Sequence, residues 1–153
     1  GVVHRDLKPS NVFLAERQGS PPIVKVLDFG IAAGEPSAHS SARLTNTETL
    51  IGSPAYMSPE QMTASSDVDA RSDVWSMGAL LYELITGKLP FPGESDLQIF
   101  ANAMSRPPLP LRAHVTGVPQ AAESVLLRCL AKARENRYQS MNALATALRA
   151  VAG

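Results

Sequence analysis

Residues 4–11 read His4-Arg5-Asp6-Leu7-Lys8-Pro9-Ser10-Asn11, which puts a carboxylate, an amine and an amide within eight positions. Seventeen positions after Asn11 comes Asp28-Phe29-Gly30, directly after the mostly apolar run 23–27. A third cluster, Gly52-Ser53-Pro54-Ala55-Tyr56-Met57-Ser58-Pro59-Glu60, follows a polar stretch. The order and spacing of these three clusters carry most of the information in this chain.

The pattern around the first two clusters predicts a small hairpin. Two short apolar runs, 12–15 and 23–27, lie on either side of a Gly/Pro turn at 19–22, as in an antiparallel pair of strands. Residues 31–51 have no periodicity and predict a long loop, which is usually functional or disordered.

The rest of the chain predicts helices. The run 73–86 is apolar on nearly every face and is followed by Gly87, so we expect a buried central helix that ends there. The segment 106–118 contains three prolines and predicts an extended connector. Three further helices are predicted from their first residues: Ser95 with 96–104, Pro119 with 119–132, and Ser140 with 141–152.

The predicted fold class is therefore mainly α, within the α+β group. It is a helical lobe with a small antiparallel hairpin at one end, and the loops that carry Asp6, Asn11 and Asp28 flank that hairpin. Short rigid strands beside these loops would hold their side chains in a fixed relation.

Composition limits the choice of function. The chain has 153 residues, is 44% hydrophobic and has zero formal net charge, which favours one domain with no nucleic-acid partner. The longest apolar run, 74–85, is interrupted by Ser76 and Glu83 and is too short to cross a bilayer. The single cysteine, Cys129, is expected to be a buried thiol. We expect a cytoplasmic location, with any membrane anchor of a longer protein outside this stretch.

The residue types in the first two clusters suit phosphoryl transfer. That reaction builds negative charge on phosphate oxygens, and a protein must clamp that charge and orient the attacking hydroxyl. Magnesium takes hard oxygen ligands such as those of Asn11 and Asp28. Each short motif alone could be an ordinary turn or a solvated charged loop, but their joint occurrence in this order favours a phosphotransfer site.

The three clusters together resemble the large, C-terminal lobe of a protein kinase, specifically a bacterial Hanks-type serine/threonine kinase. The resemblance covers residues 1–150, which we interpret as a partial kinase domain. It implies ATP as cofactor, with Mg²⁺ or in its place Mn²⁺. The implied roles are catalysis by Asp6, Lys8 and Asn11, metal binding by Asn11 and Asp28, and nucleotide binding by Lys8, Asn11, Phe13 and Asp28.

The resemblance also implies two supporting contacts. Ser58-Pro59-Glu60 stands where the family has Ala-Pro-Glu, and the family glutamate pairs with an arginine that corresponds to Arg137. Asp73 stands where a family aspartate accepts hydrogen bonds from the catalytic loop. The alternatives are a surface arginine of little energetic weight and a carboxylate favoured by its helix N-terminus.

The implied substrate is a serine or threonine side chain of a protein. Lys8 resembles the lysine of serine/threonine kinases, and Ser53 stands where their threonine hydrogen-bonds the residues at positions 6 and 8. Arg5 would bind a phosphate on the polar loop, and we hypothesise Thr45 and Thr47 as autophosphorylation sites. The alternative for these threonines is an ordinary polar loop.

The sequence contains no glycine-rich phosphate loop and no strand lysine upstream of residue 4. Since the chain also begins at Gly1 rather than Met, we expect a fragment whose small lobe is encoded upstream and is its first partner. The alternative function is a catalytically inactive lobe that serves as a protein-binding module. The intact Asp6, Lys8, Asn11 and Asp28 favour the enzyme.

Overall fold

The computed structural model describes residues 2–27, 53–63 and 68–152. These residues form five α-helices and one two-stranded sheet, so the predicted mainly α class, within α+β, is confirmed. No helix in this part of the chain is both long and apolar enough to cross a membrane. The elements are β1 (Val12–Arg17), β2 (Ser20–Val26), α1 (Pro59–Met62), α2 (Ala70–Thr86), α3 (Asp96–Ser105), α4 (Gln120–Cys129) and α5 (Met141–Ala152), with 3₁₀ turns at Pro9–Asn11, Leu111–Ala113 and Arg134–Asn136.

The predicted hairpin is present, but its strands are longer than expected. β1 and β2 are antiparallel, with Val12 opposite Val26, and Gly19 at φ 71° lies in the two-residue turn. β2 begins at Ser20 and therefore includes both prolines at 21–22. The pairing is irregular here, because the register shifts between Ala15 and Arg17 on the facing strand, and prolines at such an irregularity remove no regular ladder hydrogen bond.

Helix α2 begins three residues before the predicted start. The carboxylate of Asp69 accepts a hydrogen bond from the Arg71 backbone N–H at 2.9 Å and caps the helix there. Asp73 therefore lies in the first turn and does not open the helix. The helix ends as predicted, because Gly87 at φ 65° takes the left-handed conformation of a C-terminal stop.

Most of α2 is buried, as predicted, but its final turn is not. Trp75 and Tyr82 are fully buried among residues of α3, α4 and the connector that follows α3. In contrast, the side chains of Leu84 and Ile85 are 70% and 42% exposed. An apolar sequence pattern alone does not distinguish a helix that is covered over its whole length from one whose end extends beyond its neighbours.

Helices α3 and α5 match their predicted bounds within one residue. The Ser95 hydroxyl accepts from the Gln98 N–H at 3.3 Å, and the Ser140 hydroxyl accepts from the Ala143 N–H at 3.1 Å. Both serines therefore cap their helices as expected.

Helix α4 ends at Cys129 and not near Lys132 as predicted, and it begins after Pro119, which is its N-cap. Beyond the helix end, the carbonyl oxygens of Ala131 and Lys132 accept hydrogen bonds from the Arg137 guanidinium at 2.8 and 3.0 Å. A charged donor makes stronger hydrogen bonds than a neutral backbone N–H does, so this contact stabilises the irregular backbone that follows Cys129.

The predicted burial of Cys129 is confirmed, since its side chain is inaccessible to solvent. Burial raises the pKa of this thiol to about 12. Cys129 packs with Val74 and Leu144 in the core that joins α2, α4 and α5.

Close packing of α2 on α4 depends on Gly78, and we expect Gly78→Ala to destabilise the protein by about 1–2 kcal/mol. A Cβ atom at this position would lie 2.5 Å from the Cβ of Cys129, which is too short for a real contact. Helix propensity acts in the other direction, since alanine is favoured over glycine by about 1 kcal/mol. Urea unfolding of the 153-residue chain measures which of the two effects is larger. A variant more stable than wild type would contradict the prediction, because it would show that α2 and α4 can move apart at little cost.

Candidate active site

The loop at residues 4–11 is held in place by the carboxylate of Asp73. Its Oδ2 accepts from the His4 backbone N–H at 2.8 Å, and its Oδ1 accepts from the Arg5 backbone N–H at 2.9 Å. Asp73 is buried in the first turn of α2. The predicted contact between this aspartate and the loop is therefore present, and the carboxylate also lies at a helix N-terminus, where the macrodipole favours it.

The backbone of Arg5 is strained. Its φ of 66° is the single positive value among the described non-glycine residues. Such a conformation costs on the order of 1–3 kcal/mol and persists only where surrounding contacts enforce it. Here Asp73 holds the Arg5 N–H, and the side-chain amide of Gln61 donates to the Arg5 carbonyl oxygen at 2.7 Å.

The ring of His4 links the two ends of this region. Its Nε2 lies 3.0 Å from the Leu27 carbonyl oxygen, and its Nδ1 lies 3.3 Å from the Asp6 backbone nitrogen. Since the Asp6 N–H can only donate, we assign the proton of the neutral ring to Nε2. The Leu27 N–H also donates to the Asn11 carbonyl at 2.9 Å. Residue 27 is thus tied to the loop, a role for His4 that the motif alone did not reveal.

Three predicted catalytic side chains meet at one carboxylate oxygen. Oδ2 of Asp6 lies 2.8 Å from the Lys8 ammonium nitrogen and accepts from the Asn11 amide at 3.1 Å. The Asn11 amide nitrogen also donates to the Asp6 backbone carbonyl at 2.8 Å. With that nitrogen committed, the Asn11 side-chain oxygen and Oδ1 of Asp6 have no donor among the described residues.

Local structure explains why these groups converge. Leu7 is buried and anchors the loop, while Asp6 and Lys8 on either side of it keep 39% and 25% of their side-chain surface exposed. Pro9 then begins the 3₁₀ turn that ends at Asn11 and brings it back towards Asp6. The arrangement offers a carboxylate, a cation and an amide oxygen at one accessible point.

A shallow pocket opens beside Asp6. One wall is the loop at residues 4–11, and the other comes from the third sequence cluster and α2. The lining residues are Arg5, Asp6, Leu7, Lys8, Ser53, Tyr56, Met57 and Ser76. Ser53 is therefore near its predicted partners, but in the described part of the chain its hydroxyl bonds to neither, and Lys8 contacts Asp6 instead.

The pocket wall is fixed to α2 through Tyr56. Its hydroxyl donates a hydrogen bond to the Glu83 carboxylate, and its carbonyl accepts from the Ser76 hydroxyl at 2.7 Å. Burial and the neighbouring Glu83 carboxylate raise the pKa of Tyr56. No pattern in the sequence pointed to this pair, because its members are 27 positions apart.

Glu60 and Arg137 form the predicted pair in bidentate geometry. Nη1 and Nη2 of Arg137 donate to the two carboxylate oxygens at 2.7 and 2.9 Å. Arg137 is fully buried, and Ser72 donates a further hydrogen bond to Glu60 at 2.6 Å. Burial alone would raise the pKa of Glu60, but the hydrogen bonds from Arg137 and Ser72 outweigh it and lower the pKa to about 2.

This shift predicts an acid-labile contribution to stability. In the unfolded chain Glu60 ionises near 4.5, and in the folded state near 2, so the contribution is complete above pH 4.5 and is lost as the pH falls towards 2. The full contribution is about 3 kcal/mol, because each pKa unit corresponds to about 1.4 kcal/mol. We expect the wild-type free energy of unfolding to fall more steeply between pH 5 and 2 than that of Glu60→Gln. Parallel curves would contradict the assignment.

Several predicted residues lie outside the described part of the chain, namely Asp28, Thr45 and Thr47. Phe13 lies on β1 with 50% of its surface exposed. Among the described ranges, no three His, Cys, Asp or Glu side chains are grouped so that they could hold a metal ion. This finding does not test the predicted metal ligands Asn11 and Asp28, because Asp28 lies outside those ranges.

Short helix α1 and Gln61 were missed by the sequence analysis. The signal was present, since Ser58 and Gln61 have the spacing of a capping box and Pro59 occupies the first helical position.

Comparison with known proteins agrees with the motifs. Residues 1–148 match the protein kinase domain family. The chain is 45% identical over 149 residues to the serine/threonine-protein kinase Pkn1 of Myxococcus xanthus, and 42% identical over 140 residues to the serine/threonine-protein kinase PknB of Mycobacterium tuberculosis. These alignments cover 97% and 92% of this chain. In both cases the chain spans about a fifth of the relative's length, 21%.

Proposed function

The chain belongs to the protein kinase domain family, and from this premise we propose that the protein containing it transfers the γ-phosphoryl group of ATP to serine or threonine side chains of other proteins. The observation that carries the proposal is the convergence of Lys8 and Asn11 on Oδ2 of Asp6. It leaves the second oxygen of that carboxylate with no donor among the described residues.

In this proposal Asp6 orients the substrate hydroxyl and accepts its proton through that second oxygen. Lys8 contacts the phosphate being transferred, and its position beside Asp6 keeps a positive charge where negative charge develops. The loop geometry imposed by Asp73 holds both groups before substrate arrives, which lowers the entropic cost of alignment.

Bound ATP with its Mg²⁺, or Mn²⁺ in its place, supplies the phosphoryl group and neutralises its charge. The Asn11 side-chain oxygen suits a hard cation, because the amide nitrogen is already committed to Asp6. Asp28 is the second proposed ligand, and its neighbour Leu27 is tied to the loop through His4. We assign Phe13, half-exposed on β1, to the floor of the adenine site.

We propose specificity for serine and threonine on two grounds. The chain has Lys8 and Ser53 at the positions described above, and the relatives are named serine/threonine-protein kinases. We further propose that Thr45 and Thr47 are autophosphorylated and that Arg5 binds the resulting phosphate. A cytoplasmic location is proposed for this part of the protein.

The proposed partner of the hairpin is a small lobe of the same protein. Phe13, Leu14 and Val24 are 50%, 66% and 63% exposed, an unusual proportion for apolar strand residues. A covering lobe would bury the apolar side chains on the hairpin face that it contacts, and it would supply the glycine-rich loop and strand lysine that this sequence does not contain.

The test is phosphate transfer by the full-length protein and by residues 1–153 alone. We expect the full-length protein to label proteins on serine and threonine from ATP, and mass spectrometry of the active protein to find phosphate on Thr45 or Thr47. We expect no measurable transfer by the 153-residue chain, since it lacks the motifs that cover the phosphates. An inactive full-length protein would support the alternative, a kinase-like lobe that acts as a binding module.

A further inference from the structure

Gln61 connects helix α1 to the backbone beside Asp6. Its side-chain oxygen accepts hydrogen bonds from the Ser58 backbone N–H at 3.1 Å and from the Ser58 hydroxyl at 3.0 Å. Its side-chain nitrogen donates to the Arg5 carbonyl oxygen at 2.7 Å, across 56 positions of sequence. Both ends of one amide are therefore in use.

The orientation of this amide follows from its partners. The Ser58 backbone N–H can only donate, so the atom that faces it must be the amide oxygen. The Arg5 carbonyl can only accept, so the atom that faces it must be the amide nitrogen. A flipped amide would lose the bonds from the Ser58 N–H and to the Arg5 carbonyl, and this leaves one arrangement.

The carbonyl that Gln61 holds belongs to the peptide unit joining Arg5 to Asp6. On the nitrogen side of that unit, the Asp6 N–H makes only a longer contact, 3.3 Å, to the His4 ring. The preceding N–H, of Arg5, is held by Asp73, and Arg5 itself has a strained φ of 66°. The shorter bond to Gln61 therefore contributes most to fixing the plane of this peptide and, with it, the direction in which the Asp6 side chain leaves the backbone.

The residue before Gln61 gives this contact a rigid base. Glu60 is paired in bidentate fashion with the fully buried Arg137. Helix α1 is thus anchored to the helical core through Glu60 and contacts the loop at residues 4–11 through Gln61. We propose that Gln61 is a positioning residue that orients Asp6 by donating to the Arg5 carbonyl, an inference that rests on the proposed kinase function.

The experiment separates the donor from the acceptor of the amide in the full-length protein. Gln61→Glu and Gln61→Met remove the donor, while Gln61→Lys keeps a donor and removes the acceptor. We expect kcat to fall about 10- to 100-fold in the two variants without the donor, as for a small misplacement of a catalytic group. We expect KM for ATP to change less than about twofold, and Gln61→Lys to keep kcat within about threefold of wild type.

The matched control is Gln139→Glu. The Gln139 amide also donates to backbone carbonyls, those of Arg134, Glu135 and Arg137, but at a place that does not touch the catalytic loop. Gln139→Glu loses an amide donor, as Gln61→Glu does, but away from Asp6. We therefore expect its kcat to remain near wild type even if its melting temperature falls.

The outcomes are distinct. If kcat is equal in all Gln61 variants, or if Gln61→Lys is as slow as Gln61→Met, the proposal is overturned. If one variant without the donor fails to fold, the other is compared with Gln61→Lys. If both fail to fold, Gln61 acts on stability and the proposal is again overturned.

Failure of the proposed kinase function would be recognised separately, because the wild-type protein would then be inactive. In that case amide hydrogen exchange decides. Loss of the Gln61 donor should accelerate exchange at the Arg5 and Asp6 amides by several-fold, on the order of the loss of one hydrogen bond, while the Ser95 cap of α3 keeps its protection. Unchanged exchange at Arg5 and Asp6 would overturn the inference.

Discussion

Asp6→Asn should lower kcat of the full-length protein by about 10²–10⁴-fold, the usual size of general acid–base assistance. Asparagine keeps the shape of the side chain and can still bond to Asn11, but it cannot accept a proton at neutral pH. It also removes the ion pair with Lys8. Because both side chains of that pair are partly exposed, its loss should change the free energy of unfolding by no more than about 1 kcal/mol.

The combination of a large kinetic effect and a small effect on stability is what identifies Asp6 as a group that acts on substrate. The measurement is steady-state transfer to a peptide with a single serine, together with a thermal melt. Asp96→Asn is the matched control, since Asp96 is an exposed carboxylate in the first turn of α3 and has no hydrogen bond or ion pair to a described residue of the loop at residues 4–11. An unchanged kcat in Asp6→Asn would contradict the role proposed for this residue.

Arg137→Met should produce the largest loss of stability, about 3–5 kcal/mol. The substitution leaves the Glu60 carboxylate largely buried without its counter-ion, and it removes the donor for the carbonyls of Ala131 and Lys132. Native domains are stable by only about 5–15 kcal/mol, so a loss of this size brings the protein close to unfolding.

Urea unfolding of the 153-residue chain measures this loss, because its single tryptophan, Trp75, is buried with the Arg137 guanidinium 5.0 Å from its ring. Glu60→Gln combined with Arg137→Met should recover part of the loss, since the double variant no longer buries an unpaired charge. Arg149→Met is the control for removal of an arginine from an exposed helix position. A loss no greater than that of the control would mean that the pair contributes little.

Many features of this protein were predictable because their physical causes are local in sequence. Ser95 and Ser140 cap α3 and α5 through bonds to residues three positions ahead, and Gly87 ends α2 through its own backbone conformation. The pairing of Glu60 with Arg137 spans 77 positions and was predicted only through the family resemblance.

Other features depend on contacts that no local pattern encodes. The strain at Arg5 exists because Asp73 and Gln61 hold its peptide groups from 68 and 56 positions away. The irregular backbone after helix α4 is stabilised by a guanidinium from a later turn, which donates to the carbonyls of Ala131 and Lys132. The sequence by itself determined which chemical groups are present and where most helices begin and end, since these follow from neighbouring residues. Only the tertiary structure decided which way Asp6 faces, because that direction is set by hydrogen bonds that form after distant segments have packed together.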